Sequence, residues 1–161
     1  MEITYAISLL AVLAQPTRLD TFRLLVRREP KGAVHPLALE KLAAYDYPAD
    51  GFNSKSWDEF AFPGAPDMDF VFTVCDSAAG EACPVWPGHP VTAHWGVEDP
   101  AAIEGAETDK QRAFNAAFRY LRNRITAFIS LPFASLDALS LQNRLRDIGR
   151  MEGSTASPGK P

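Results

Sequence analysis

An α/β domain, helix-rich and built on a small parallel sheet of two or three strands, is what three stretches of this 161-residue chain predict. The first is Phe70-Val71-Phe72-Thr73-Val74, an apolar run of aromatic and β-branched residues. Such a run reads as a strand buried on both faces, as strands of parallel sheets are. The second, Val91 to Trp95, reads as another short strand. The third runs from about Thr108, where Phe114, Ala117, Phe118, Leu121, Ile125, Phe128 and Ile129 recur at intervals of three and four. That spacing lines one face of a long helix and assigns Lys110, Arg112, Arg119, Arg122 and Arg124 to its wet side.

The remaining elements follow in chain order. Ile3 to Ala14 is apolar, Gln15-Pro16-Thr17 interrupts it, and Leu19, Phe22, Leu25 and Val26 resume at helical spacing, which predicts two helices joined at a proline. After the Glu29-Pro30-Lys31-Gly32 break, Pro36 to Ala44 reads as a short helix with Leu37, Leu39 and Leu42 apolar, followed by turns from Tyr45 to Gly51. Ser56 with Glu59 three residues on is a capping-box opening, and Pro63, Gly64 and Pro66 stiffen the loop into the first strand. The proline-punctuated Cys83 to Gly88 segment fits neither helix nor central strand. Gly96 to Pro100 turns sharply and exposes Asp99 before a proline. Leu131-Pro132 ends the long helix, Ser140 to Ile148 forms a last one with Leu141, Leu145 and Ile148 inward and Gly149 as its C-cap, and Met151 to Pro161 is expected to be a disordered tail.

Composition narrows the class of function. A formal charge of −4 gives no basic field for a phosphate backbone, so nucleic acid is not an expected partner. No apolar run approaches the ~20 residues of a membrane span. Glu2 is the first charge where a secretory leader would carry a basic one, so a cytoplasmic protein is expected. In a reducing compartment two cysteines point to redox activity or metal binding before a permanent bridge.

Chemistry concentrates between Asp67 and Pro100, which hold both cysteines, two of the three tryptophans and two of the three histidines. The first strand leads into Cys75 at its carboxyl end, where open α/β sheets bind ligands, although a buried inert thiol is an equally good reading. Cys83 follows eight positions later, and a disulfide between the two requires Cα atoms within ~7 Å. Asp99 is either a turn residue before proline or a proton donor. Cys75, Cys83, His89 and His94 lack the paired Cys-x2-4-Cys spacing of structural zinc sites, so neither metal nor other cofactor is expected. His35 and His89, each before a proline, read as turn residues, His94 as a packed, hydrogen-bonded loop residue, and Trp57, Trp86 and Trp95 as core or loop anchors.

Two resemblances sharpen this reading. LAVLAQPTRLDTFRLLVRREP, within residues 1 to about 30, resembles the first two helices of the arsenic-responsive winged-helix repressor family. From about Lys31 to Arg150, the segments KGAVHPLALE, SKSWDEFAFPGAP, MDFVFTVCDSAAGEACPVWPGHPVTAHWGVEDPAA and SLQNRLRDIGR resemble the body of an arsenate reductase of the low-molecular-weight phosphatase fold. The resemblance implies a truncated version of that fold's parallel sheet with helices on both faces, an added N-terminal helical pair, and a tail over residues 151–161. It also implies thiol-coupled reduction of arsenate to arsenite, with thioredoxin, glutaredoxin or glutathione as electron donor. Asp99 matches the family's general acid, and Cys75 and Cys83 fall in its redox-relay region.

One departure is decisive for activity. Family members seize the oxyanion in a Cys-x5-Arg loop after the first strand, whereas Glu81 and His89 stand six positions after Cys75 and Cys83. The step of anion capture is therefore not encoded in this chain. Loss of that first strand also leaves Phe70 to Val74 with one unpaired edge, which favours self-association, a homodimer being one outcome. The alternative is a non-catalytic regulatory protein that dimerises through its N-terminal helices and binds arsenite with Cys75 and Cys83 as a soft dithiol.

Overall fold

The computed structural model describes residues 34–47, 60–65, 67–74 and 88–155. Its sheet is a parallel pair, β1 (Phe70–Thr73) beside β2 (Val91–His94), with Phe70 opposite Val91 and Thr73 opposite His94. Bonds from Val91 N to the Asp69 carbonyl at 2.9 Å and from Trp95 N to the Thr73 carbonyl at 2.7 Å bracket the ladder. The α/β architecture expected from the sequence is the one found, with each strand one residue shorter at its carboxyl end than the apolar runs. His94 accordingly closes a strand and does not sit in a loop.

Alternation along β1 sends Val71 and Phe72 to opposite faces, and both are buried, as a strand covered on two sides requires. Val71 packs with Met68 against Phe60 and Ala61. Phe72 enters the main core, where its ring stacks on Trp95 with centroids 4.0 Å apart and meets Phe128 edge-on at 5.1 Å. Phe70 and Phe133 also present to Phe128 at 5.1 and 5.2 Å. Edge-to-face rings of this kind contribute about 0.5–1.5 kcal/mol per pair beyond the area they bury. The cluster joins the sheet to the helix that carries Phe128.

That helix, α2 (Glu107–Ile129), opens with Glu107 and Asp109 in its first turn, where carboxylates meet the positive end of the helix dipole. Phe114, Ala117, Phe118, Leu121, Ile125 and Phe128 form the buried stripe, as their spacing predicts. Two assignments change. Ile129 is 40% exposed, one helical step of about 100° beyond the fully buried Phe128 and so past the edge of the stripe. Arg124, expected on the wet side, is fully buried. It stands three residues after Leu121 and four before Phe128, so helix phase places it on the apolar face whatever its charge.

The shorter helices flank α2. Helix α1 (Pro36–Ala44) begins with Pro36 at its first position and His35 as N-cap, whose Nδ1 accepts from Leu37 N at 3.2 Å. The His35 ring stacks on Phe114 at 4.6 Å. Helix α3 (Ala138–Gly149) is capped by Asp137, whose Oδ1 accepts from Ser140 N at 2.8 Å, so it starts two residues before the Ser140 expected from its apolar spacing. Gly149 is the last helical residue rather than a residue beyond the helix, and Arg150 is the C-cap. Its lack of a side chain serves packing: a Cβ there would run into the His94 carbonyl and lie 3.1 Å from Trp95 Cδ1.

The tail expected to be disordered is packed as far as Thr155. Thr155 N donates to the Gly96 carbonyl at 3.2 Å, and Gly153, with φ +76°, lies flat against the Tyr120 ring where any side chain would collide. The helical pair of residues 1–30, the Ser56–Glu59 box, Trp57 and Trp86 lie outside the described residues. Among the described residues no helix is long and apolar enough to cross a membrane.

Two outcomes test this packing. Gly149→Ala forces β2 and α3 apart and is expected to lower unfolding stability by about 1–3 kcal/mol, read as a lower urea midpoint, with Arg150→Ala as a control of little effect. Burial holds His35 below its ordinary pKa of 6.5, helped by Lys110 and opposed by Glu107 and Asp99. The unfolded chain therefore takes up the proton first, and this contribution to stability, complete above about pH 6.5, drains away as pH falls below it. Urea midpoints followed from pH 7.5 down to 5 are expected to fall more for the wild type than for His35→Asn, which keeps a capping oxygen but does not titrate; equal slopes would dismiss the histidine as the cause.

Candidate functional site

Because β1 and β2 run parallel, their carboxyl ends share one edge of the sheet, the edge at which α/β proteins bind ligands. The paired last residues meet there: Thr73 Oγ1 and His94 Nδ1 are 2.8 Å apart. The hydroxyl donates if Nδ1 is unprotonated and accepts otherwise. Beyond the strands the two chains stay together for one more bond, from Val97 N to the Val74 carbonyl at 3.0 Å. The segment that follows, Glu98-Asp99-Pro100, leaves the carboxyl end of β2 from that bond.

Asp99 is half-buried and extended, with φ −69° and ψ 104°, the backbone that a residue before proline adopts. It caps a short 3-10 turn, Pro100–Ala102, through Oδ1, which accepts from Ala101 N at 2.8 Å and from Ala102 N at 3.1 Å. Two backbone donors on one oxygen fix the orientation of the whole carboxyl group. Among the described residues Oδ2 carries no such bond. Of the two sequence readings, the turn role is thus present in the geometry, and it leaves one oxygen available for a second task.

The segment that carries Asp99 is anchored from beneath. Trp95 is fully buried, and its indole Nε1 donates to the Leu145 carbonyl on α3 at 3.1 Å. Arg124 Nη1 donates to the Trp95 and Gly96 carbonyls at 2.9 and 3.2 Å. Its Nη2 donates to the carbonyls of Met151 and Glu152 at 3.3 and 3.4 Å, while Nε is buried without a partner among the described residues. Burial lowers the guanidinium pKa from its ordinary value, yet an arginine stays charged throughout the range in which proteins fold.

Of the three site residues expected from sequence, Asp99 caps the turn that follows β2, and Cys75 and Cys83 lie outside the described residues. His89 adopts a turn conformation with φ 50°. Thr73 and Arg124 were not singled out as site residues; Arg124 had been assigned by residue type when its helical phase already pointed inward. Among the described residues no three His, Cys, Asp or Glu side chains converge as a metal site would need.

No family model matches the chain. Individual relatives do. The chain is 40% identical over 60 residues to an arsenate reductase of Oceanobacillus iheyensis, covering 37% of this chain and 42% of that protein. It is 38% identical over 62 residues to an arsenate reductase of Bacillus subtilis, covering 38% and 44%. It is 33% identical over 79 residues to one of Staphylococcus xylosus, covering 49% and 57%. The chain thus spans about half the length of the curated relatives it matches, and over that half it is similar to bacterial proteins named arsenate reductase.

Proposed function

We propose that this chain is an arsenate-reductase relative that retains the proton donor and the thiol relay of the reaction, Asp99 for the first and Cys75 with Cys83 for the second. The supporting observation is a half-buried carboxylate pinned by two backbone donors, in the segment that leaves the carboxyl end of a parallel strand, in a chain similar to arsenate reductases. Reduction of arsenate to arsenite takes two electrons and releases one oxygen as water. The two thiols supply the electrons by closing a disulfide and, with them, the two protons that leave with the oxygen as water, Asp99 relaying one of those protons to it. A thioredoxin-type dithiol then reopens the disulfide. Capture of the arsenate ion is the step for which the chain has no Cys-x5-Arg loop.

The relay is tested by oxidising the full chain with diamide and adding thioredoxin, thioredoxin reductase and NADPH. Consumption of about one NADPH per chain is expected, since a disulfide holds two electrons, and none in Cys75→Ser; no consumption by the wild type removes the relay. With arsenate replacing diamide, turnover is expected to stay near background, and sustained turnover would show that the chain captures the anion by another route.

Asp99 separates into its two roles by substitution. Asp99→Ala is expected to cost about 0.5–2 kcal/mol of stability through loss of the cap, and Asp99→Asn little. Should arsenate turnover of the wild type exceed background, it is expected to fall in both, and turnover untouched in Asp99→Asn takes the residue out of the chemistry.

A further inference from the structure

A guanidinium in the middle of an apolar stripe is the least expected feature of α2. Arg124 is 0% exposed and, among the described residues, forms no ion pair; four main-chain carbonyls stand where a carboxylate would. Burying a charge without a counterion is costly, and an apolar side chain of similar volume at such a site is often neutral or stabilising. What an apolar residue would not supply is a grip on the main chain. Two of the four carbonyls belong to Trp95 and Gly96, four and three residues before Asp99, in a segment that is neither strand nor helix. The other two, of Met151 and Glu152, lie just past α3. One rigid, planar group therefore ties the Asp99 segment to the middle of the longest helix and to the end of the last one.

We propose that Arg124 is a positioning residue for Asp99, setting the place of its carboxyl group through the Trp95 and Gly96 carbonyls. The proposal builds on the reading of Asp99 as proton donor. The link between them runs through Val97, whose N–H is fixed on the Val74 carbonyl, and ends at the Ala101 and Ala102 amides that donate to Asp99 Oδ1. Those two amides report directly on whether the carboxyl group is where the fold puts it.

The test is amide hydrogen exchange on the full-length chain, comparing wild type with Arg124→Met and Arg124→Lys. Exchange at Ala101 and Ala102 is expected to quicken in Arg124→Met by about tenfold more than at Leu121 and Phe118 in α2, the size of losing one hydrogen bond. Arg124→Lys, which offers a compact ammonium in place of the fork, is expected to fall between, and it carries the test should Arg124→Met fail to fold. The same substitution made on an Asp99→Ala background, where the cap is already gone, is expected to add no excess at Ala101 and Ala102. A merely structural arginine would speed all of these amides by one common factor, with or without Asp99, and either result overturns the proposal. Because exchange requires no arsenate, the result is independent of the turnover assay: turnover untouched in Asp99→Asn bears on Asp99 as proton donor, and uniform exchange bears on Arg124 as its support.

Discussion

Everything at the candidate site descends from the parallel pairing of two four-residue strands. Parallel pairing puts both carboxyl ends on one edge, and the register of Thr73 with His94 decides which residues emerge side by side there. So short a ladder has few bonds to hold it, and its stability comes from the rings beneath it. Phe72, Trp95 and Phe128 interlock across β1, the residue after β2, and α2, so a slip of β1 by one residue would turn Phe72 out of that cluster and bring Val71 into it.

The aromatic cluster secures the strands but does not reach the segment that follows them. From Gly96 to Glu98 the backbone is neither strand nor helix, and beyond the Val97 N–Val74 and Thr155 N–Gly96 bonds it draws its donors from side chains. Arg124 supplies them. The exchange is reciprocal: the carbonyls make a buried charge tolerable, and the charge gives an irregular loop the definition that a ladder would otherwise provide. Trp95 works in the same sense from the other side, its ring in the core and its N–H on α3. A carboxylate carried on such a loop inherits its precision from groups that never touch it.

Much of this was legible in the sequence. The apolar run at Phe70, the periodic stripe from Phe114 to Phe128 and the proline at Pro36 each express a local rule, and each element formed where the rule put it. What escaped were cases in which two rules disagreed. Arg124 obeyed helical phase against its own polarity, and residue type had been allowed to outrank position. Gly149 resembled a helix-ending glycine, yet its smallness is spent on the approach of β2, a contact between residues far apart in the chain. The segment past Arg150 looked like a tail because its composition is that of one, and composition does not register that Met151 and Glu152 offer carbonyls to a buried guanidinium. At the site itself, Asp99 before proline announced a turn, but only the fold reveals that the turn packs against α2.

The attachment of Met151 and Glu152 to Arg124 has a further consequence for where the folded unit stops. Hydrophobic burial is nearly finished with Ile148, and by that measure the chain needs nothing more. Electrostatics extends the requirement by several residues, since half of the acceptors around a dehydrated cation are found only past the last helix. The solvation of one charge, met with peptide oxygens instead of water, thus helps to hold the chain packed beyond its last helix.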